Sequence, residues 1–315
     1  MKSSHRKLLK DNSMTLGYAV LFVLLAQTVP NFFSSANIVG LLLSVAQIGM
    51  VACTMMLCLA SRDFDLSVGS VIAFSGVLGA IILERSGSIA FAVGGGLAAG
   101  ALIGAGNGVL IAYLRVNALI ATLATMLMVR GLAFIVSKGQ AVGIASDSFI
   151  DFGDARMLGI PLPVWVTAAC FLVFGVLLNH TVFGRNTLAI GGNPEAARLA
   201  GVRVERLRVW IFMLQGLITA MAGLILSSRI TSGQPNAAQG FELDVISACV
   251  LGGVSLQGGK ARIFGVLIGV LIMGTVENVM NLLDVDAFYQ YLMRGIILLA
   301  AVLLDQLKSR GERRV

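Results

Sequence analysis

Apolar positions gather along this chain into runs of about 18 or more residues that recur from end to end. Each run is long enough, as a helix, to cross a hydrocarbon core of roughly 30 Å. Read for length, the runs predict helices near 14–33, 38–60, 66–83, 88–114 and 118–136, then 163–180, 209–228, 243–257, 263–283 and 287–304. The expected fold class is all-α, a polytopic membrane helical bundle of about ten transmembrane helices. The fourth run carries Gly96, Gly100, Gly104 and Gly108, an i, i+4 series that lets a neighbouring backbone approach closely, and Gly265 and Gly269 repeat the device in the ninth. These glycines predict tight packing and say little about substrate.

Composition removes the soluble alternative. Of 315 residues, 57% are hydrophobic and 12% charged, where globular chains average about 45–50% apolar and about 25% charged. The net charge of +7 is not a nucleic-acid footprint, because of where it sits. Lys2, Arg6, Lys7 and Lys10 precede the first run, Lys308, Arg310, Arg313 and Arg314 follow the last, and Arg185, Arg198, Arg203, Arg206 and Arg208 share the loop 181–208. Flanking Lys and Arg mark the cytoplasmic side of bacterial-type membrane proteins. Anionic membrane lipid or a protein partner is their expected contact. Both termini are then cytoplasmic in a bacterial inner membrane, the span number is even, and loop 181–208 lies inside. Loop 137–162, with Asp147, Asp151 and Asp154, lies outside. Residues 1–13 and 305–315 read as tails and 14–304 as the transmembrane domain. Cys53, Cys58, Cys170 and Cys249 fall within apolar runs with no CxxC pair, so they read as small hydrophobes without a disulfide or metal role. The run 14–33 is too long for a signal-peptide core and reads as the first span.

Two pairs of strings recur in the same order. Asp63-Phe-Asp-Leu opens the third span and Glu242-Leu-Asp-Val the eighth; Asn117 precedes Arg130 by the same separation as Asn281 precedes Arg294. Corresponding spans are offset by five, an odd number, so the copies enter the membrane in opposite senses. Inverted repeats of this kind are a common transporter design, with the pathway along the repeat interface. Arg130, Glu277 and Arg294 lie inside apolar sequence, where a charge costs at least about 2.5–3.5 kcal/mol and takes a partner or a wet cavity. Glu277 and Arg294 are on neighbouring spans and are expected to pair, holding the repeats together, with substrate contact as the alternative. Asn107, Asn117, Asn278 and Asn281 are neutral hydrogen-bonding groups of the kind a polyhydroxylated substrate requires, and equally able to hold helices together.

The stretch SRDFDLSVGS at 61–70 crowds Arg62, Asp63 and Asp65 between two apolar runs. A solvated turn with Asp65 or Ser67 capping the third span is one reading; a segment partly unwound within the membrane is the other. Asp65 and Asp244 occupy matching positions of the two copies, on opposite sides by parity. The groups expected to flank a pathway are Asp65, Ser67, Asn117, Arg130, Asp244, Glu277, Asn278, Asn281 and Arg294.

Loop 181–208 contains FGRNTLAIGGNPEAARLAGV. Asn193 is a good N-cap, Pro194 suits the first helical position, Glu195 favours the positive end of the helix dipole, and Gly201 supplies a left-handed C-cap. A helix of about two turns follows, on the order of 10 Å long. Ala196, Leu199 and Ala200 share one of its faces. Such a helix, framed by arginines, is suited to docking in a groove, or to lying on the lipid surface.

Glu195-Ala196-Ala197, then three residues, then Gly201 resembles the EAA loop of ABC-importer permeases. AIGGNPEAARLAGV, DLSVGS and VLGGVSLQGG resemble the monosaccharide branch of that family, over nearly the whole chain. The resemblance implies a type II importer fold and a homodimeric channel subunit. Residues 193–201, with Asn193, Glu195, Ala196, Ala197, Arg198, Leu199 and Gly201, would form the helix that couples to cytoplasmic ATPase subunits. It further implies a periplasmic binding protein delivering a pentose, L-arabinose first, with ribose or xylose as alternatives. ATP would bind the partner, leaving this chain without a cofactor or catalytic role. Two residues depart from the family pattern: Arg62, where a small residue is usual, and Ala261, where glycine is common. No HExxH or GxSxG is present, and Gly253–Lys260 fails the P-loop pattern, since no Ser or Thr follows the Lys. The rival from another class is an ion-coupled secondary transporter, which would have no use for the capped helix at 193–201.

Overall fold

A computed structural model describes residues 13–312; Lys2, Arg6, Lys7, Lys10, Arg313 and Arg314 lie outside the described residues. The first half contains α1 (Ser13–Thr28), α2 (Ser35–Ala60), α3 (Val68–Ser86), α4 (Ile89–Ala112) and α5 (Ala118–Ser137). After α6 (Asp147–Asp154) and α7 (Leu162–His180) come the short α8 (Val182–Gly192) and α9 (Pro194–Leu199). The second half continues with α10 (Val204–Arg229), α11 (Phe241–Leu251), α12 (Ile263–Leu282) and α13 (Ala287–Glu312). Two minimal antiparallel pairs decorate the bundle: β1 (Val142–Gly143) with β4 (Ser232–Gly233), and β2 (Arg156–Met157) with β3 (Ile160–Pro161). Among the described residues seven helices, α2–α5, α7, α10 and α12, are long and apolar enough to cross a membrane; Met14–Thr28 and Ala287–Leu303 are shorter apolar helices.

Helix ends follow the local chemistry. Ser34, Ser88 and Asn117 cap α2, α4 and α5 through their side-chain oxygens, and Gly87 at φ 64° closes α3. The predicted first span reaches residue 33, but α1 stops at Thr28, just before Pro30, which cannot continue a helix. At the other end α13 runs to Glu312, past the predicted tail boundary at 305.

α2 is the axis of the molecule. Every residue from Gly49 to Ala60 is buried, because α7, α10, α11 and α12 all pack around it. A helix apolar on every side belongs in such a place. The glycine stripe of α4 does what its spacing predicts: Gly100 backs onto the Gly216 carbonyl, Gly104 onto that of Phe212, and Gly108 onto Val209, so α4 and α10 cross backbone to backbone. Gly265 and Gly269 of α12 meet α11 in the same way at Gly252 and Ala248.

The eighth predicted span, 243–257, is corrected. Helix α11 has only 11 residues, about 16 Å at 1.5 Å per residue, half a bilayer. The chain then unwinds through Gly252 and the positive-φ residues Gly253, Gly258 and Gly259, whose missing Cβ atoms make the left-handed turns cheap. This irregular segment is fastened to the bundle at points: Gly252 and Val254 are buried, and the Gly259 N–H donates to the Ala60 carbonyl at 2.9 Å, at the end of α2. The connection 230–240 is also irregular, and it descends alongside α3. Gly233 lies against Gly76 and Val77, Ala238 against Gly69, a drop of about 10 Å along the helix. As a result α11 begins beside the start of α3. Parity placed those two helix starts on opposite sides of the membrane; the descending connection brings them together.

Candidate functional site

At one end of the bundle α9 stands out from the surface. The Asn193 Oδ1 accepts from the Glu195 N–H at 3.0 Å and the Ala196 N–H at 3.1 Å. At the far end Gly201, at φ 87°, lets its own N–H reach the Arg198 carbonyl and that of Val202 reach Ala197, both at 3.0 Å. Six residues are thereby held as a helix that would be too short to persist unaided. Arg198 adds ion pairs to Glu195, at 2.8 Å, and to Glu205. Ala197 is the side chain turned inward, and Leu199 is 84% exposed. Ala196, Leu199 and Ala200 therefore form an apolar face with nothing on it.

The base of α9 is tied to the core. Gly191, at the end of α8, fits against the Ala60 carbonyl and Gly259, so the end of α2, the α8–α9 junction and the irregular 252–262 segment meet at one point. Beside it Asp63 pairs with Arg208 of α10, Oδ2 to Nε 3.0 Å, an ionic contact without an aligned hydrogen bond. Burial pushes the Asp63 carboxyl up to about 6 against the opposing pull of Arg208. A cavity of about 890 Å³ opens here, bounded by Arg62, Asp63, Arg115, Glu195, Arg198 and Arg208.

Further in, Asp65 and Ser67 begin a buried polar chain. The Asp65 Oδ1 accepts from the Ser67 N–H (2.9 Å) and hydroxyl (2.6 Å), the Ser67 oxygen accepts from the Asn107 amide (3.1 Å), and the Asn107 Oδ1 accepts from the Thr125 hydroxyl (2.6 Å). These links join the starts of α3 to α4 and α5, with all four side chains buried. Arg130 of α5 reaches the descending connection, where its Nη1 donates to the carbonyls of Pro235 and Ala237, both at 2.7 Å. Asp244, on the first turn of α11, pairs with Arg294 at 3.2 Å, and Arg294 pairs with Glu277 at 2.8 Å. The expected Glu277–Arg294 contact is thus present, with a second carboxylate added.

The asparagines have separate surroundings. Asn117 caps α5 and is exposed. Asn278 exchanges two amide hydrogen bonds with Asn37 of α2, at 3.0 and 2.8 Å. Asn281 accepts from Gln290 at 2.9 Å. The equal Asn-to-Arg separation has no common local structure: Asn117 and Arg130 share α5, whereas Asn281 ends α12 and Arg294 lies in α13.

Gln215 and Thr219 are polar positions hidden in an apolar run. They sit one turn apart on α10, both 0% exposed. The Gln215 amide nitrogen and oxygen and the Thr219 hydroxyl are buried with no hydrogen-bond partner, as is the Gln47 amide nitrogen of α2. Their signal was a neutral i, i+4 pair inside an apolar run, easily overlooked beside ionisable residues.

Residues 37–302 match the family described as the permease component of branched-chain amino acid transport systems. The chain is 57% identical over 302 residues to the L-arabinose transport system permease protein AraH of Escherichia coli, covering 96% of this chain and 92% of that one. It is 53% identical over 308 residues to the L-arabinose permease AraH of Azospirillum brasilense, covering 98% and 91%. The ribose import permease RbsC of Bacillus subtilis is 44% identical over 296 residues, covering 93% and 92%. No solved structure matches. With the match spanning nearly all its membrane helices, this chain is a multi-pass membrane protein and belongs to that family of transport permease components.

Proposed function

We propose that the chain is the permease subunit of an ATP-driven importer for a pentose, L-arabinose in the first place. A periplasmic binding protein delivers the sugar, and separate cytoplasmic ATPase subunits bind and hydrolyse ATP, so this chain needs no cofactor of its own. The observation that carries the reading is the unoccupied apolar face of α9, on a helix capped at both ends and rooted where α2 and the 252–262 segment meet. The names of the relatives at 57% and 53% identity favour arabinose over ribose.

The orientation has both termini and α9 in the cytoplasm of a bacterial inner membrane, with about ten membrane-embedded segments, membrane lipid around them, and a second copy completing the channel. An inverted repeat is supported by reciprocal packing. α10, the second span of the second half, packs against α3 and α4; α2, the second span of the first, packs against α11 and α12. ATP-driven closure of the ATPase pair would move α9 and bias the halves between inward- and outward-facing states. The neutral, unpartnered Gln47, Gln215 and Thr219 suit passage of a hydroxylated, uncharged cargo. Asp65, Ser67, Asn117, Arg130, Asp244, Glu277, Asn278, Asn281 and Arg294 would flank that route.

The test is co-purification with candidate ATPases and binding proteins, then sugar-stimulated ATP hydrolysis across several pentoses. Glu195→Lys and Gly201→Pro are expected to abolish uptake while membrane insertion persists. The membrane-embedded Asp244–Arg294–Glu277 cluster gives the ion-coupled alternative its one specific support. Uptake by the reconstituted chain alone, driven by an ion gradient, would establish that alternative instead.

A further inference from the structure

The turn between α4 and α5 lies against the first turns of α10, and a second cavity of about 750 Å³ opens there, adjoining the one beneath α9. Its charge is one-sided. Arg115, Arg203 and Arg206 line it, and the single acidic residue on its wall, Glu205, is taken by Arg198. Among the described residues Arg203 and Arg206 have no ion pair, and Arg115 has only the more distant field of Glu205. All three arginines are exposed. Tyr113 on its wall is 54% exposed, and within a turn of its arginines in sequence stand the exposed Leu114 (65%) and Trp210 (55%). Trp210 stands one turn beyond Arg206 on α10, about 6 Å along the axis. From the same turn α5 leads away with Ile120, Leu123 and Leu127 exposed.

An uncompensated cationic pocket at the end of an exposed apolar helix face, with Tyr and Trp at the boundary, has the chemistry of a phospholipid: phosphate at one end, acyl chain along the helices. We propose that this groove binds an anionic phospholipid, its phosphate held by Arg115, Arg203 and Arg206 and its chains lying along α4 and α5. The occupant is a lipid rather than a soluble anion, because the cations are continuous with apolar surface that water would not cover cheaply. The proposal rests on the orientation given above, which puts this end of the bundle in the anionic cytoplasmic leaflet.

Trp210 reports on the site. The chain has 2 tryptophans, so the full-length Trp165→Phe variant leaves Trp210 alone as the fluorophore. It is reconstituted into phosphatidylcholine vesicles containing equal fractions of either brominated phosphatidylcholine or brominated phosphatidylglycerol. Stronger quenching by the brominated phosphatidylglycerol is expected, weakening as salt is raised. The preference should fall about five-fold for each of Arg115→Gln, Arg203→Gln and Arg206→Gln, survive the corresponding Lys variants, and be unmoved by Arg85→Gln at the far end of α3. Equal quenching by the two lipids, or an undiminished preference in the triple Gln variant, overturns the proposal. So does relief of quenching by inorganic phosphate at matched ionic strength, which would assign the groove to a soluble anion. The readout uses neither sugar nor ATP, so it stands or fails separately from the importer reading.

Discussion

Replacing Arg208 by methionine removes the counter-charge from a carboxylate with almost no access to water. Asp63 is 4% exposed, lies in the 61–67 connection between α2 and α3, and faces Arg208 at 3.0 Å. A carboxyl held at about 6 rather than near 3.9 has its charged form disfavoured by about 3 kcal/mol even with Arg208 in place. Losing one member of a buried pair costs about 3–5 kcal/mol; the partial exposure of Arg208 puts the expected loss at the lower end, about 3 kcal/mol. The sign with pH follows from linkage. Because the folded value lies above the unfolded one, the native state binds the extra proton. Its contribution is full below about pH 4 and lost as pH rises through 6. Without Arg208 the folded value climbs further, so the deficit opens above about pH 6 and closes toward pH 5. The assay is unfolding of the full-length chain in detergent at about pH 8 and about pH 5, for Arg208→Met and for Asp63→Asn/Arg208→Met. A loss of equal size at both pH values, or one that Asp63→Asn does not recover, would refute the account.

Three further outcomes are expected. Gly104→Leu should prevent stable assembly, since its side chain would collide with the Phe212 backbone, whereas Gly106→Leu, with open space at its Cβ, should be tolerated; yield of folded protein on gel filtration decides. Gln215→Leu should leave stability unchanged or raise it by about 1 kcal/mol, because it removes unpaired buried polar atoms, yet reduce sugar uptake several-fold. If uptake is untouched, Gln215 is core alone. Asn193→Ala should cost about 1 kcal/mol of local helix stability, seen as faster amide exchange confined to 194–200 and as weaker ATPase co-purification.

Long apolar runs made most helices legible, because a bilayer fixes a minimum length that composition can report. α9 was legible for a different reason: Asn193 and Gly201 act on their own neighbours, so local sequence contains the whole argument. The end of α11 is not legible where Leu251 gives way to Gly252-Gly253-Val254, a stretch apolar by composition, because composition does not encode the positive φ of Gly253. The glycine stripe predicted a close crossing, but nothing in it named α10 as the partner. The same holds for Arg130, whose bonds go to carbonyls more than one hundred positions away, and for Asn107, which joins Ser67 to Thr125. Glu277 and Arg294 are legible by their charge, whereas Gln215 carries none, although an unpaired amide in a dry core also costs free energy.

The enclosure of α2 sets a problem of timing for the living cell. The helix is complete at Ala60, while its last wall, α12, ends at Leu282, roughly 200 residues later. At about 5–20 residues per second, translation leaves α2 without its final partners for on the order of 10 to 40 s. Through that interval Asn37 sits in lipid or against the insertion machinery, because Asn278 does not yet exist. A ribosome that stalls anywhere before α12 releases a chain whose central, most enclosed stretch, Gly49–Ala60, has no finished socket, so a premature stop late in the message should yield a substrate for membrane proteases rather than a shortened permease.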